Sequence, residues 1–394
     1  MPCRPIWAEI DLDAIGDNVR AIRNAVGMQP HIMAVVKANA YGHGAVAVAW
    51  ASLQAGATWL GVARLEEAIE LREAGLTAPI LILGHCPPGC VPEALAWDIR
   101  LTVSSVREAR EMARWASAAG GTLRLHLKVD TGMGRLGMLA GPELGGDLEN
   151  AVQEIAEIQG LAAISLEGVF THFACADSKD KSSAEAQWRL YIRLLQALEN
   201  HGLSFPVRHA ANSAAIIDLP HTHLDLVRAG IMLYGLYPSP EVDHSNVRLT
   251  PAMSIKTRIT HVKEVPAGFA VSYGSTYSTP APTRIATVPV GYADGYSRLL
   301  SSQASMLVRG QRVPVVGRVC MDQTLIDVGR VPEAAHGEEV VVLGTQGEAE
   351  ISADELARLT ETINYEVVAT VMARVPRVYR DRYDAKAGNG NDNG

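Results

Sequence analysis

The sequence predicts a parallel (β/α)8 TIM-type barrel followed by a mainly antiparallel β domain. Three observations carry this. Between residues 31 and about 235, short apolar runs alternate eight times with amphipathic helical stretches. Beyond residue 252 the texture changes to short β-branched runs separated by turn residues. Polar side chains collect where the predicted barrel strands end, the place where this architecture gathers its chemistry.

In chain order, Ile15, Val19, Ile22 and Val26 recur at helical spacing before the first run. The eight predicted strands are IMAVVK (32–37), TWLGVA (58–63), PILILG (79–84), RLTV (100–103), LRLHLKVD (123–130), LEGVFTHF (166–173), VRHAAN (207–212) and LDLVRAGIMLYG (224–235). Between them, Ser105 with Glu108 and Ser182 with Glu185 fit capping boxes, and Gly75, Gly120 and Gly202 stand where helices should stop. Met112 and Trp115 fall on a helical stretch and are expected in the core. An open doubly wound sheet is the competing reading, but eight alternations over this length favour closure. YPSPEVDHSNVRLTP reads as a linker, after which RITHVKEV, RIATVPV, SMLVRGQRVPVVGRV, QTLIDVG and EEVVVLG are strand-like. Ser352 and Glu355 predict one further capped helix. The expected divisions are a barrel over 1–240, a mainly β domain over 241–384 and an apolar-free, disordered tail over 385–394.

Composition narrows the function. The 394 residues are too many for one ordinary core and suit two domains. A net charge of −8 gives no electrostatic reason to bind nucleic acid or an anionic membrane. No segment is apolar enough to span a bilayer, and the N-terminus lacks a signal-peptide core. Five cysteines, without a CxxC pair, indicate neither a zinc knuckle nor a disulfide scaffold, and a reducing cytoplasm is expected. The His221-Thr222-His223 pair lacks the carboxylates or cysteines to complete a metal site and reads as a loop, so no metal is expected.

The strand ends supply the candidate site: Lys37, Asn39 and Tyr41; Lys128, Asp130 and Arg135; His172; His209, Asn212 and Ser213; Arg228 and Gly230. Lys37 ends an apolar run, where a cation is costly to desolvate. A Schiff base with an aldehyde cofactor removes that charge, whereas a lysine reaching solvent along its stem is the plainer alternative. Ser213, with the backbone at Gly230 and Ile231, lies after the last two strands, the usual phosphate place in this fold. A lysine at one end and a phosphate cradle at the other fit pyridoxal 5'-phosphate. Arg228 shares its strand face with Gly230 and would reach the pyridine nitrogen. Arginine does not give up its proton, so the nitrogen would stay unprotonated and plain proton exchange would be favoured. A structural arginine paired with a carboxylate is the alternative.

At AVVKANAYGHG (34–44) the sequence resembles the alanine racemases, and the likeness covers roughly residues 5 to 383. HLKVDTGMGRLG (126–137), EGVFTHFACAD (167–177), RHAANSAA (208–215), VRAGIMLYG (227–235), VSYGSTY (271–277), VPVGYADGY (288–296), GRVCMDQ (317–323) and INYEVV (363–368) resemble that family's motifs in that family's order. The resemblance implies a cytoplasmic homodimer with shared active sites that interconverts L- and D-alanine, a peptidoglycan precursor or a catabolic substrate. Lys37 would carry the cofactor aldimine and move the proton on one face, and Tyr273 of the partner subunit would serve the other. Tyr41, Ser213, Gly230, Ile231 and Tyr365 would hold the phosphate. Arg228 would face the pyridine nitrogen, with His172 and His209 in its network. Arg135 and the Met321 N–H would bind the substrate carboxylate, and Tyr292 would shape the entry. A carbamate on Lys128 is implied, with an unmodified lysine paired to Asp130 as the alternative. The family's habit of pairing its first residues with the C-terminal domain would place residues 1–12 there.

Tyrosine is an inefficient base near neutrality unless its phenolate is stabilised, and linkage through His172 towards Arg228 would do this. Cys320 precedes Met321 without an evident base and is expected to line the pocket. Three other functions compete. A non-catalytic cofactor carrier on the same barrel would lack the β domain and Tyr273. A decarboxylase of basic amino acids would place an acid, not Arg228, at the pyridine nitrogen. A racemase acting on serine differs only in pocket size, which Tyr365 and Tyr292 would restrict, and a hydrophobic pocket discriminates weakly against a hydroxyl.

Overall fold

The computed structural model describes residues 4–381. The tail expected over 385–394 and Cys3 lie outside the described residues. The described residues divide into two compact units: one holds residues 14–40 and 45–250, the other residues 4–13, 41–44 and 251–381.

The first unit contains the eight parallel strands: His31–Val35, Trp59–Val62, Ile80–Ile82, Ile99–Val103, Leu123–Asp130, Ile164–Phe170, Val207–His209 and Leu226–Ala229. Each pairs in parallel with the next through the seventh, and the eighth pairs with the first. The seventh and eighth form no regular ladder; two backbone bonds at their edges, Asp225 N–H to the Arg208 carbonyl at 3.1 Å and Arg228 N–H to the Ala211 carbonyl at 3.0 Å, join them with side-chain bonds such as Arg228 to His209. The barrel is therefore nearly closed, and the doubly wound sheet is excluded. Strand residues such as Ile32, Leu60, Leu81, Leu101 and Leu127 are fully buried, as strands covered on both faces must be.

Helices fill the intervals. Ser105 caps the helix Val106–Ala118 by accepting the Glu108 N–H at 3.2 Å, while the Glu108 carboxylate accepts the Ser104 N–H at 2.8 Å. Ser352 likewise caps the helix Ala353–Leu359. The expected cap at Ser182 is not made. Ser182 is already the first residue of the helix Ser182–Asn200, Lys181 takes the capping position, and Asp180 accepts the Ser182 N–H. Met112 is buried, but Trp115 is 47% exposed, because it lies on the flank of the helical stripe rather than its centre.

The second unit is mainly antiparallel. Its largest sheet runs in the order Gln311–Pro314, Ser305–Val308, Glu339–Gln346, Met253–Arg258, Ile6–Asp11, Arg377–Arg380. The strand Ile6–Asp11 thus sits between an antiparallel neighbour and a parallel one. Glu9 pins this arrangement: its carboxylate pairs with Lys256 at 3.0 Å and Arg380 at 2.5 Å and accepts the Trp7 indole N–H at 2.9 Å. A second, three-stranded sheet joins His261–Val265, Thr283–Val288 and Thr324–Asp327 around Val265, Val271, Ile285 and Val316.

One backbone feature was not anticipated. Ala38, Asn39, Ala40 and Tyr41 all have φ between 50° and 53°. They form a left-handed helical turn built without glycine, immediately after Lys37. Each such residue costs roughly 1–2 kcal/mol relative to the right-handed form. Asn39 offsets part of this by accepting the Ala45 N–H at 2.9 Å, and the Glu67 carboxylate accepts the Ala38 N–H at 2.6 Å.

Candidate active site

At the C-terminal end of the barrel strands the first unit assembles Lys37, Lys128, Arg135, His172, His209, Ser213, Arg228 and Gly230. Arg228, from the eighth strand, is the centre. It is 4% exposed and no carboxylate lies within ion-pair distance among the described residues. Its guanidinium donates instead to the carbonyls of Thr171 and Ala210, both at 2.8 Å, to His209 Nδ1 at 3.0 Å and to His172 Nδ1 at 3.2 Å. Burial lowers its pKa to about 10. The carboxylate pair considered as an alternative for Arg228 is therefore absent.

Cations dominate this end of the barrel. Lys37 is half-buried; burial, then the Arg135 charge, depress its pKa against the opposing pull of Glu67. Lys128 is buried, and its Nζ donates only to the Val129 carbonyl at 3.1 Å. Burial and the Arg228 charge, helped by Arg135 and opposed by Asp130, bring Lys128 to about 7. The direct Lys128–Asp130 pair does not form, because Asp130 faces its own loop. Its Oδ1 accepts the N–H groups of Gly132 and Met133 at 2.9 Å and of Gly134 at 3.1 Å, shaping the turn that carries the exposed Arg135. Gly137 closes this turn at φ 132°, where a Cβ would stand 2.5 Å from the Asp130 nitrogen. His172 and His209 are both pushed well below the ordinary histidine pKa by burial and then by Arg228, so both are neutral.

Ser213 starts the helix Ser213–Asp218, which Asn212 caps by accepting the Ala215 N–H at 3.0 Å. The Ser213 hydroxyl oxygen accepts the Gly230 N–H at 3.0 Å. The Gly230 amide is therefore engaged by the serine. Gly230 in turn caps the 3-10 turn Ile231–Tyr234, so two helical N-termini converge on the serine. This donor set suits a phosphate, and a lysine of depressed pKa suits an aldehyde. Both ends of pyridoxal phosphate are matched by residues present.

The remaining candidates lie in the second unit. The rings of Tyr41 and Tyr365 are 6.1 Å apart, and burial pushes Tyr41 up to about 12. Tyr273 opens a 3-10 turn and is 73% exposed. The strained Ser272 before it, at φ 63°, donates its hydroxyl to the Arg318 carbonyl at 2.7 Å. Tyr292 donates its N–H to the Cys320 carbonyl at 3.1 Å, which brings it beside Met321; both side chains are exposed. Cys320 Sγ lies 3.5 Å from the Ser272 hydroxyl. His221 pairs with Glu185, and His223 bonds the Ile216 carbonyl.

Sequence reasoning missed His126 and Glu167. Both lie inside quoted motifs, but a fully buried histidine on an apolar strand carried no signal until its partner was visible.

A family model for the alanine racemase N-terminal domain matches residues 10–238, and one for the alanine racemase C-terminal domain matches residues 252–379. The chain belongs to the alanine racemase family. An alanine racemase of Desulfosudis oleivorans is 55% identical over 374 residues, 95% of this chain and 96% of that relative. Among solved structures, the alanine racemase of Clostridium difficile 630 has a TM-score of 0.91 at 40% identity, over 97% of each chain. A histidine racemase from Leuconostoc mesenteroides subsp. sake has a TM-score of 0.88 at 31% identity, over 97% of this chain and 99% of that one. The family makes the chain a racemase.

Proposed function

We propose that the chain interconverts L-alanine and D-alanine by a two-base route, with pyridoxal 5'-phosphate held on Lys37. The observation that carries this reading is the charge imbalance at the barrel mouth. Lys37, Lys128, Arg135 and Arg228 are set against two acids, Glu67 beside Lys37 and Asp130 beside Lys128, and Arg228 is buried without a carboxylate among the described residues. Such a centre calls for anions, and a phosphorylated cofactor with an amino-acid carboxylate supplies them.

Bound pyridoxal phosphate supplies an electron sink that acidifies the Cα–H of an amino acid. The protein's own residues would do the rest. Lys37 would hold the cofactor, and its Nζ would move the proton on one face of the substrate. Its depressed pKa favours the unprotonated amine that this requires. Arg228 would face the pyridine nitrogen as a donor and would not surrender a proton to it. Ser213 and the backbone at Gly230 and Ile231, with Tyr41 and Tyr365, take the phosphate. Arg135 and the Met321 N–H orient the substrate carboxylate, with Tyr292 at the entry. Tyr273 of the partner subunit serves the opposite face in a homodimer with shared sites. Its exposure in the single chain accords with a role completed by a second copy.

A carbamate on Lys128 fits the same electrostatics. An amine brought to about 7 is unprotonated often enough to take up carbon dioxide, and the resulting anion would face two arginines. Alanine is favoured because the bulk of Tyr365 and Tyr292 would restrict the side chain. The histidine racemase shares the fold, so pocket residues and not the barrel decide the substrate.

D-alanine formation from L-alanine, tested beside L-serine and L-histidine, checks this reading. The purified protein should be yellow and lose its visible absorbance in Lys37→Ala. A colourless wild type that cannot be reconstituted would refute it.

A further inference from the structure

Behind Arg228 a hydrogen-bonded chain crosses the barrel interior, and none of the roles above uses its far end. Arg228 meets His209 Nδ1 at 3.0 Å; His209 Nε2 meets His126 Nδ1 at 2.9 Å; His126 Nε2 meets Glu167 Oε2 at 3.4 Å. Glu167 is held in turn by Arg100 at 3.1 Å. His126 and His209 are fully buried.

The local structure is shaped around this chain. Leu125 pairs with Leu166 but His126 pairs with Gly168, so Glu167 is the extra residue of a bulge in the sixth strand. A bulge re-aims a side chain that regular alternation would send elsewhere. Gly168 leaves the space the imidazole needs: a Cβ there would stand 2.5 Å from His126 Nδ1. Phe170 stacks on His209 with centroids 4.6 Å apart and planes within 6°, and Trp59 meets His126 edge-on at 5.5 Å. Both rings are thereby fixed in plane and position.

Proton bookkeeping then allows a single polarity. A guanidinium only donates, so His209 Nδ1 must accept and its proton sits on Nε2. That proton faces His126 Nδ1, which must also accept, so the His126 proton sits on Nε2 and points at a carboxylate. We propose that Glu167 is a positioning residue for the racemase reaction: by accepting the proton that Arg228 forces onto His126 Nε2 it leaves the chain without an unpaired donor, and so anchors both imidazoles and holds Arg228 as a donor aimed at the cofactor ring. This inference rests on the proposed function for its catalytic consequence, but not for the tautomers themselves. Burial alone would disfavour the charge on Glu167, yet the His126 hydrogen bond and the Arg100 charge outweigh it and keep the carboxyl below its ordinary pKa. Without that acceptor the His126 Nε2–H is left unpaired. Arg228 still forces both tautomers, so the buried donor stays unpaired, and the two imidazoles, with Arg228 behind them, lose the anchor that fixes their position.

The test uses the cofactor-loaded enzyme and reads tautomers by nitrogen-15 NMR, with signals assigned through His126→Asn and His209→Asn. In the wild type both histidines should carry the proton on Nε2. In Glu167→Leu, the His126 Nε2–H signal should lose its hydrogen-bonded shift and kcat should fall about tenfold, the scale of one lost buried hydrogen bond to a charged group, while KM and cofactor content hold. Glu167→Gln keeps an acceptor oxygen and should restore both the hydrogen-bonded signal and most of kcat. A wild-type His126 protonated on Nδ1 in an active enzyme overturns the relay alone, whether or not Glu167→Leu folds. A freed His126 N–H with unchanged kcat in Glu167→Leu overturns the positioning role. A wild type with these tautomers but no racemisation overturns the proposed function and the positioning role with it.

Discussion

Lys128→Met should abolish a specific pH dependence of stability. Burial and two arginines bring Lys128 from its ordinary 10.5 to about 7 in the folded protein. Between those values the unfolded chain binds the proton and the folded chain does not, so stability rises with pH across this window. The cost of the buried cation is complete below pH 7 and disappears as pH approaches 10.5. Integrating the linkage relation from pH 7 to pH 9 gives a gain of about 2 kcal/mol for this one group. Methionine keeps the stem and removes the charge, so the variant should lack that gain. The assay is the urea midpoint of wild type and variant at pH 7, 8 and 9, at one protein concentration, in buffer freed of carbon dioxide. The difference between the two proteins isolates Lys128 from every other titrating group. Adding bicarbonate should raise the wild-type midpoint and leave the variant unmoved, because only the unprotonated lysine amine forms a carbamate. Parallel pH curves for the two proteins would show that the folded lysine keeps an ordinary pKa, and the electrostatic case for its modification would fall with them.

Three further outcomes are expected. Asp130→Ala removes the acceptor of three backbone N–H groups in the turn carrying Arg135, so KM for alanine should rise about tenfold with kcat little changed; an unchanged KM would separate the turn from substrate binding. Ala38→Gly relieves one left-handed residue and, after the flexibility cost of glycine, should stabilise by about 1 kcal/mol in chemical unfolding, whereas Ala34→Gly in the first barrel strand should destabilise. Tyr273→Phe should keep its visible absorbance and lose most activity. Mixed with Lys37→Ala it should regain about a quarter of wild-type activity, since random pairing makes half the dimers hybrid with one intact site of two. No recovery would count against sites shared between subunits.

The barrel was readable because each of its eight strands is a short, near-continuous apolar run, the pattern that parallel strands covered on both faces demand. Glycines 75, 120 and 202, at φ between 70° and 84°, ended helices where expected. Local patterns failed where a competing neighbour or a narrower helical face decides the outcome. Ser182 loses its cap because Asp180, two residues earlier, reaches its N–H first. Trp115 leaves the core because the helical stripe is narrower than the periodicity suggested. The left-handed turn at 38–41 has no composition signal, since alanine, asparagine and tyrosine ordinarily avoid it; it persists because Glu67 and Asn39 hold it.

The candidate site was legible in its individual residues and illegible in its balance of charge. Sequence spacing named Lys37, Lys128, Arg135 and Arg228, but it could not show that Asp130 would be turned to its own loop or that Arg228 would be buried without a carboxylate. Those two facts convert a list of polar strand ends into a centre with a net demand for anions. Burial first, and the surrounding positive charges after it, depress Lys37, Lys128, His172 and His209. A centre of this kind stays folded only because the guanidinium at its core is satisfied by two carbonyls and two neutral histidines. Neutral histidines can accept from it only in one tautomer, which ties the chemistry at the barrel mouth to a carboxylate on its far side.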